Sequence, residues 1–179
     1  MPTETQSEKS STRTPGPTTV ARAYFKAIAE KDLDAAAALW VPGSTDRLVG
    51  FAEFSVPAGF KQWFGVLFAA FPDFRFEVLN VTASKENAAV QWRATGTFNG
   101  TAKFEGMKPN GASIDITGCD MMTVRDGKIV DNHGYMNGTD LARQLGAVPP
   151  AGSPAEKAMI GAFNARVSAK EAIQRFKNR

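Results

Sequence analysis

Residues 114–146 read IDITGCDMMTVRDGKIVDNHGYMNGTDLARQLG, and the pair Asp126-Gly127 within them decides how the chain is read. Asp-Gly supplies positive φ at both centres of a type I′ turn, and here it separates two runs that alternate in polarity, which predicts a β-hairpin. Setting Arg125 opposite Lys128 places Val124 opposite Ile129, Met122 opposite Asp131 and Asp120 opposite His133. Further along, Gly118 faces Tyr135 and Ile116 faces Asn137. Side chains alternate across a strand, so these residues share a mostly apolar, inward face with Ile114. Asp115, Thr117, Thr123 and Asn132 fall on the other face. Buried polar groups cost several kcal/mol unless paired. An inner face holding Asp120, the chain's single histidine, Tyr135 and Asn137 is therefore expected to be a polar site.

Before the hairpin, helical spacing comes first. Val20, Tyr24 and Ile28 mark a helix capped by Thr18 or Thr19, and Leu33 to Trp40 a second one capped by Asp32. Val41 to Phe54 reads as loop with a short strand at Arg47 to Phe51. Phe60, Phe64, Leu67, Phe68 and Phe71 then form one stripe of a third helix that Pro72 ends. Phe74 to Ala83, Ala88 to Phe98 and Phe98 to Phe104 read as strands. Pro109-Asn110-Gly111 turns the chain into the hairpin. Helices followed by strands predict an α+β domain: a cone-shaped barrel whose curved antiparallel sheet wraps over the N-terminal helices.

After the hairpin, Thr139-Asp140 caps a short helix. Ser153 to Glu156 is a capping box with proline at N1 that opens an extra C-terminal helix, and Ile160, Phe163 and Val167 offer it a side for docking. Residues 1–17 are rich in Ser, Thr, Pro and charge, which predicts a disordered tail. The expected organisation is thus tail 1–17, one domain over 18–149 and a basic helical extension over 150–179.

With 179 residues and 43% hydrophobic content, one substantial core is expected. The net charge is +3, but Pro154 to Arg179 alone carries six Lys or Arg against two Glu, leaving the preceding body at −1. A near-neutral body without zinc-finger or P-loop spacing argues against nucleic acid as a partner. A single cysteine, Cys119, excludes an internal disulfide. No apolar run reaches membrane-spanning length, and the N-terminus lacks a signal-peptide core. A cytoplasmic protein with no membrane partner is expected.

Several motifs occur together: WxAxGTxxG (Trp92 to Gly100), FxGxxPxG (Phe104 to Gly111), DGKI (Asp126 to Ile129) and the closing NGTDLARQLG (Asn137 to Gly146). In combination, over roughly Thr18 to Gly146, they resemble SnoaL-like polyketide cyclases, within the nuclear transport factor 2 and ketosteroid isomerase superfamily. The resemblance implies an α+β cone whose cavity binds a hydrophobic, carbonyl-bearing small molecule, a homodimer, and ring closure by acid/base chemistry without cofactor. The family's catalytic aspartate commonly lies seven residues before the Gln of QLG, which here is Asn137. An amide can donate and accept hydrogen bonds but cannot shuttle a proton at neutral pH. Relatives often carry His where this chain has Phe98.

The candidate catalytic residues are therefore Asp120 and His133, read either as an acid/base dyad or as a structural pair, with Asn137 polarising a substrate carbonyl or serving as a strand-end amide. Trp40, Trp63, Trp92, Phe98 and Met122 either line an aromatic cavity or belong to the core, and Tyr135 either donates to an oxyanion of the substrate or packs with its hydroxyl at the rim. Scattered acids around one histidine predict no metal site. The function expected is that of a cofactor-independent cyclase or isomerase, the alternative being a non-catalytic binding or association module.

Overall fold

The computed structural model describes residues 14–178; most of the expected tail lies outside them. Helix α1 (Pro17–Ala29) starts at Pro17 behind an extended Gly16, one residue before the expected threonine caps. Proline's missing N–H is one of the donors a helix start leaves unused, so proline takes the first position at no cost. Val20, Ala21, Tyr24, Phe25, Ala27 and Ile28 form its buried face. In α2 (Leu33–Ala38), Asp32 caps as expected by accepting from the Ala35 N–H at 2.9 Å.

The segment expected as loop plus one strand is a hairpin of two short strands, β1 (Thr45–Leu48) and β2 (Ala52–Ser55). Helix α3 (Ala58–Ala70) then buries Phe60, Phe64, Leu67 and Ala70. Strands β3 (Arg75–Ala83), β4 (Asn87–Thr97), β5 (Ser113–Arg125) and β6 (Lys128–Met136) follow. They make one six-stranded sheet in the order β2-β1-β6-β5-β4-β3. The fold is the expected α+β cone. The sheet curves over α1 without closing, and one of its pairings, β1 with β6, is parallel.

The hairpin turn forms at Asp126-Gly127, both at positive φ, and Arg125 pairs with Lys128 and Val124 with Ile129. Beyond them the expected register is wrong by one residue. Thr123 pairs with Asp131, leaving Val130 as the extra residue of a β-bulge. A bulge exchanges inside and outside for everything beyond it. Asp120 therefore lies opposite Gly134, Met121 opposite His133 and Cys119 opposite Tyr135. Asn132 turns inward and is 1% exposed, while Tyr135, at 47%, faces out.

No strand forms over Phe98 to Phe104. Residues 98–112 are a loop closed by the Phe104–Met107 bridge, with Phe98 stacked on Phe71 at 5.1 Å. The amides of Gly100 and Thr101 donate to Ala70 O and Ala69 O at 3.0 and 2.9 Å. They thereby satisfy carbonyls that the end of α3 leaves without intrahelical partners.

Asn137 rather than Thr139 caps α4 (Gly138–Gln144). In α5 (Pro154–Lys177), Ser153 Oγ accepts from Glu156 N at 3.1 Å, Glu156 accepts from Gly152 N, and Arg143 pairs with Glu156 at 2.6 Å. The helix has no buried residue, and Phe163 is 65% exposed, so the expected docking is not made. Among the described residues no helix is long and apolar enough to cross a membrane.

At Gly100 the backbone meets α3 so closely that a Cβ would lie 1.9 Å from Ala69 O. Gly100→Ala must push the loop off the helix end, and overpacking of this kind costs about 1–3 kcal/mol. Urea unfolding should show that loss, whereas Gly65→Ala, on the exposed side of α3 where space is open and the backbone is helical, should not.

Candidate functional site

Between α1, α3, the inner face of the sheet and the 98–112 loop lies a cavity of about 70 Å³. Its walls are almost wholly hydrocarbon, with Leu48, Phe51, Trp63, Phe76, Trp92 and Ile116 among them, and its polar side chains are Tyr24, Asp46 and Asp120. Asp46 enters from β1 and Asp120 from β5. Asn132, on the strand between them, sits beside Asp46 in the parallel register.

Asn132 Nδ2 donates to Asp46 Oδ1 at 2.8 Å and to Asp120 Oδ2 at 2.7 Å. Tyr24 Oη donates to Asp46 Oδ2 at 3.1 Å, and Trp92 Nε1 to Asp120 Oδ1 at 2.8 Å. Each carboxylate oxygen thus accepts from a neutral donor. Asp46 and Asp120 are 2% and 5% exposed, and among the described residues no Lys or Arg ion pair reaches either carboxylate.

Two glycines make the arrangement possible. A Cβ on Gly134 would lie 2.9 Å from Asp120 Oδ1, and one on Gly118 would lie 2.2 Å from Trp92 Cζ2. The first leaves room for the carboxylate and the second for the indole that donates to it.

Burial pushes Asp46 up to about 7, with the charge of Asp120 adding to the shift and hydrogen bonds from Asn132 and Tyr24 opposing it. Asp120 is also raised by burial, against the donors Trp92 and Asn132. Tyr24 is held well above the usual phenol range by burial and by both carboxylates. Both carboxyls are thus held above the usual carboxylate range by burial at the apolar cavity.

Asp120, Trp92 and Trp63 are the sequence-identified candidates that border the cavity. The expected facing of Asp120 and His133 is not made: the bulge turns the imidazole to the outer face, where Nε2 lies 3.1 Å from Asp131 Oδ2. Asn137 is exposed and accepts from Asp140 N at 3.0 Å as a helix cap. It borders, with Tyr135, an open trough on the outer face. Trp40, Phe98 and Met122 are buried in the core and do not border the cavity.

Tyr24, Asp46 and Asn132 escaped the sequence reading. Tyr24 shares its stripe with core residues, and Asp46 lies in a segment without periodicity. The adjacent β-branched pair Ile129-Val130, which breaks the alternation, was the one signal of the bulge.

The raised Asp46 makes a test of stability. Folded Asp46 keeps its proton up to about 7, whereas in the unfolded chain it is lost near 3.8. Folding stability should therefore fall as pH rises through that window, with a slope approaching 1.4 kcal/mol per pH unit. Asp46→Asn should flatten the slope in urea unfolding between pH 4.5 and 8 and be more stable than wild type at the upper end.

The SnoaL-like domain model matches residues 21–132, a span that includes Tyr24, Asp46, Trp92, Asp120 and Asn132. Among solved structures, AclR of Streptomyces galilaeus is 24% identical, with a TM-score of 0.65 over 88% of this chain and 95% of its own. IdmH of Streptomyces antibioticus is 24% identical, with a TM-score of 0.62 over 73% and 98%. A SnoaL-like protein of Jannaschia sp. CCS1 is 23% identical, with a TM-score of 0.65 over 76% and 98%. No curated protein matches the chain significantly. These likenesses carry the fold, and the match over 21–132, which takes in five of the six strands, the start of the last and the polar end of the cavity, carries the family: the chain belongs to the SnoaL-like domain family.

Proposed function

We propose that the protein is a cofactor-independent acid/base enzyme of the cyclase or isomerase type, acting on a hydrophobic small molecule that bears a carbonyl. The observation that carries this reading is the burial of Asp46 and Asp120 together, with Tyr24, at the polar end of an otherwise hydrocarbon cavity. Uncompensated carboxylates are costly in a core, and strongly perturbed acids in a cavity mark functional sites. The names of two relatives agree with it: IdmH and the Jannaschia protein are described as proposed polyketide cyclases.

In the reaction, ionised Asp120 removes a proton from the carbon next to the substrate carbonyl. The charge that develops on the carbonyl oxygen is met by the Tyr24 hydroxyl. Asp46, protonated on Oδ2, donates to Tyr24 Oη and frees the tyrosine hydrogen to turn to the substrate. The resulting enolate either regains the proton from Asp120 at a different carbon, where a neighbouring double bond extends the enolate, which is isomerisation, or adds to a second carbonyl of the same molecule, which closes a ring and leaves an alkoxide that takes the proton back from Asp120. Both outcomes balance without a redox partner.

The test is exchange of the α-hydrogens of a panel of alicyclic and bicyclic ketones into D2O, followed by NMR. Wild type should accelerate exchange for at least one ketone, and Asp120→Asn should lower the rate about 10²-fold or more. The rate should fall as pH rises through about 7, where Asp46 loses its proton. Exchange that is indifferent to Asp120→Asn would refute the assignment.

The assembly is inferred to be a homodimer joined through the outer face of the sheet, where Met121 and Tyr135 are 48% and 47% exposed on neighbouring strands. Sedimentation at micromolar concentration should give a dimer, and Met121→Glu should shift it to monomer.

A further inference from the structure

We infer that Asn132 is a positioning residue whose single amide group holds Asp46 and Asp120 apart and directs any proton on Asp46 to Oδ2, the oxygen that faces Tyr24. The inference deepens the acid/base reading above and rests on it. Asn132 does not border the cavity; it lies behind the two carboxylates, 1% exposed, and acts only through them.

The geometry follows from the amide. Its two hydrogens diverge from one nitrogen, and they are directed to Asp46 Oδ1 at 2.8 Å and Asp120 Oδ2 at 2.7 Å. Two oxygens bound to one NH2 group cannot meet to share a proton directly. An amide N–H donates and never accepts, so a hydrogen carried on Asp46 Oδ1 would confront another hydrogen. Oδ2 faces a hydroxyl, which can reverse and accept. The proton therefore sits where Tyr24 can pass its effect to the cavity. Asp120 has a donor on each oxygen, Trp92 and Asn132, which favours its ionised form.

Other side chains fail in this place for definite reasons. Serine offers one hydrogen and could hold only one carboxylate, and aspartate offers none when ionised. Lysine would bring a positive charge that ionises both acids. The carbonyl oxygen Asn132 Oδ1 is buried without a partner among the described residues, so the amide nitrogen is what engages the site. Of the other polar groups nearby, Arg47 pairs with Asp131 and Glu53, and His133 Nε2 lies beside Asp131. Tyr24, Asp46 and Asp120 are the titratable groups that face this network.

Full-length protein labelled with 15N-asparagine and 13Cγ-aspartate tests the inference without any substrate. The Asn132 NH2 signals, assigned by their absence in Asn132→Leu, should move between pH 5 and 9 with the midpoint of the Asp46 carboxyl. In folded Asn132→Leu, close to isosteric, the Asp46 midpoint should rise by about a unit or more, because a donor to the ionised form is lost. NH2 signals that stay flat while Asp46 titrates, or an unchanged midpoint in folded Asn132→Leu, would overturn it. Should the leucine variant not fold, the wild-type signals alone decide. Flat NH2 signals together with intact ketone exchange would reject the role of Asn132 and spare the catalytic reading.

Discussion

Two carboxylates buried within reach of one amide, with no cation beside them among the described residues, are the constraint around which this molecule is arranged. Their charge repulsion and lost hydration work against folding, and the fold answers with neutral donors alone: a phenol from α1, an indole from β4 and an amide from β6. A salt bridge would have stabilised both anions and ended their usefulness as acids near neutrality. Neutral donors lower the cost while leaving one proton within easy reach. The two glycines belong to the same solution, since any side chain at Gly134 would press on the carboxylate itself.

The site depends on a defect in the sheet. An unbroken hairpin from the Asp126-Gly127 turn would have sent His133 inward and Asn132 to solvent. Val130 reverses that choice, bringing the amide in and leaving the only histidine at the surface. Bulges are known for aiming side chains in this way. Here one inserted residue decides whether the interior contains a titrating imidazole or a neutral double donor.

Elements whose evidence is local were legible in the sequence. The phenylalanine stripe of α3, the Asp32 cap, the hairpin turn and the Ser153 cap each rest on residues a few positions apart, and each forms. What was not legible depends on distant partners. β1 is only four residues long and is held by a parallel pairing to β6, so nothing in its own composition singled out Asp46. Asn137 has side-chain chemistry suited to a cavity or to a helix cap, and only the register beyond Val130 decides for the cap. Of the site residues, Asp120 and Trp92 were visible because they lie on the strand pair before the bulge takes effect.

The parallel pairing of β1 with β6 also bears on how the molecule comes into being. Asp46 and Asn132 are separated by 86 residues of chain, and β1 has no place in the main sheet until β6 is present. During synthesis from the N-terminus, Asp46 leaves the ribosome well before the strand that will hold it has been made. Contacts of such long sequence separation carry a loop-closure cost and form late. The early chain can collect α1, α2 and α3 around their aromatic side chains, but its carboxylates remain hydrated and ordinary. The unusual acidity of the site is thus a property the protein acquires only with its last strand, and it reports that the cone is complete.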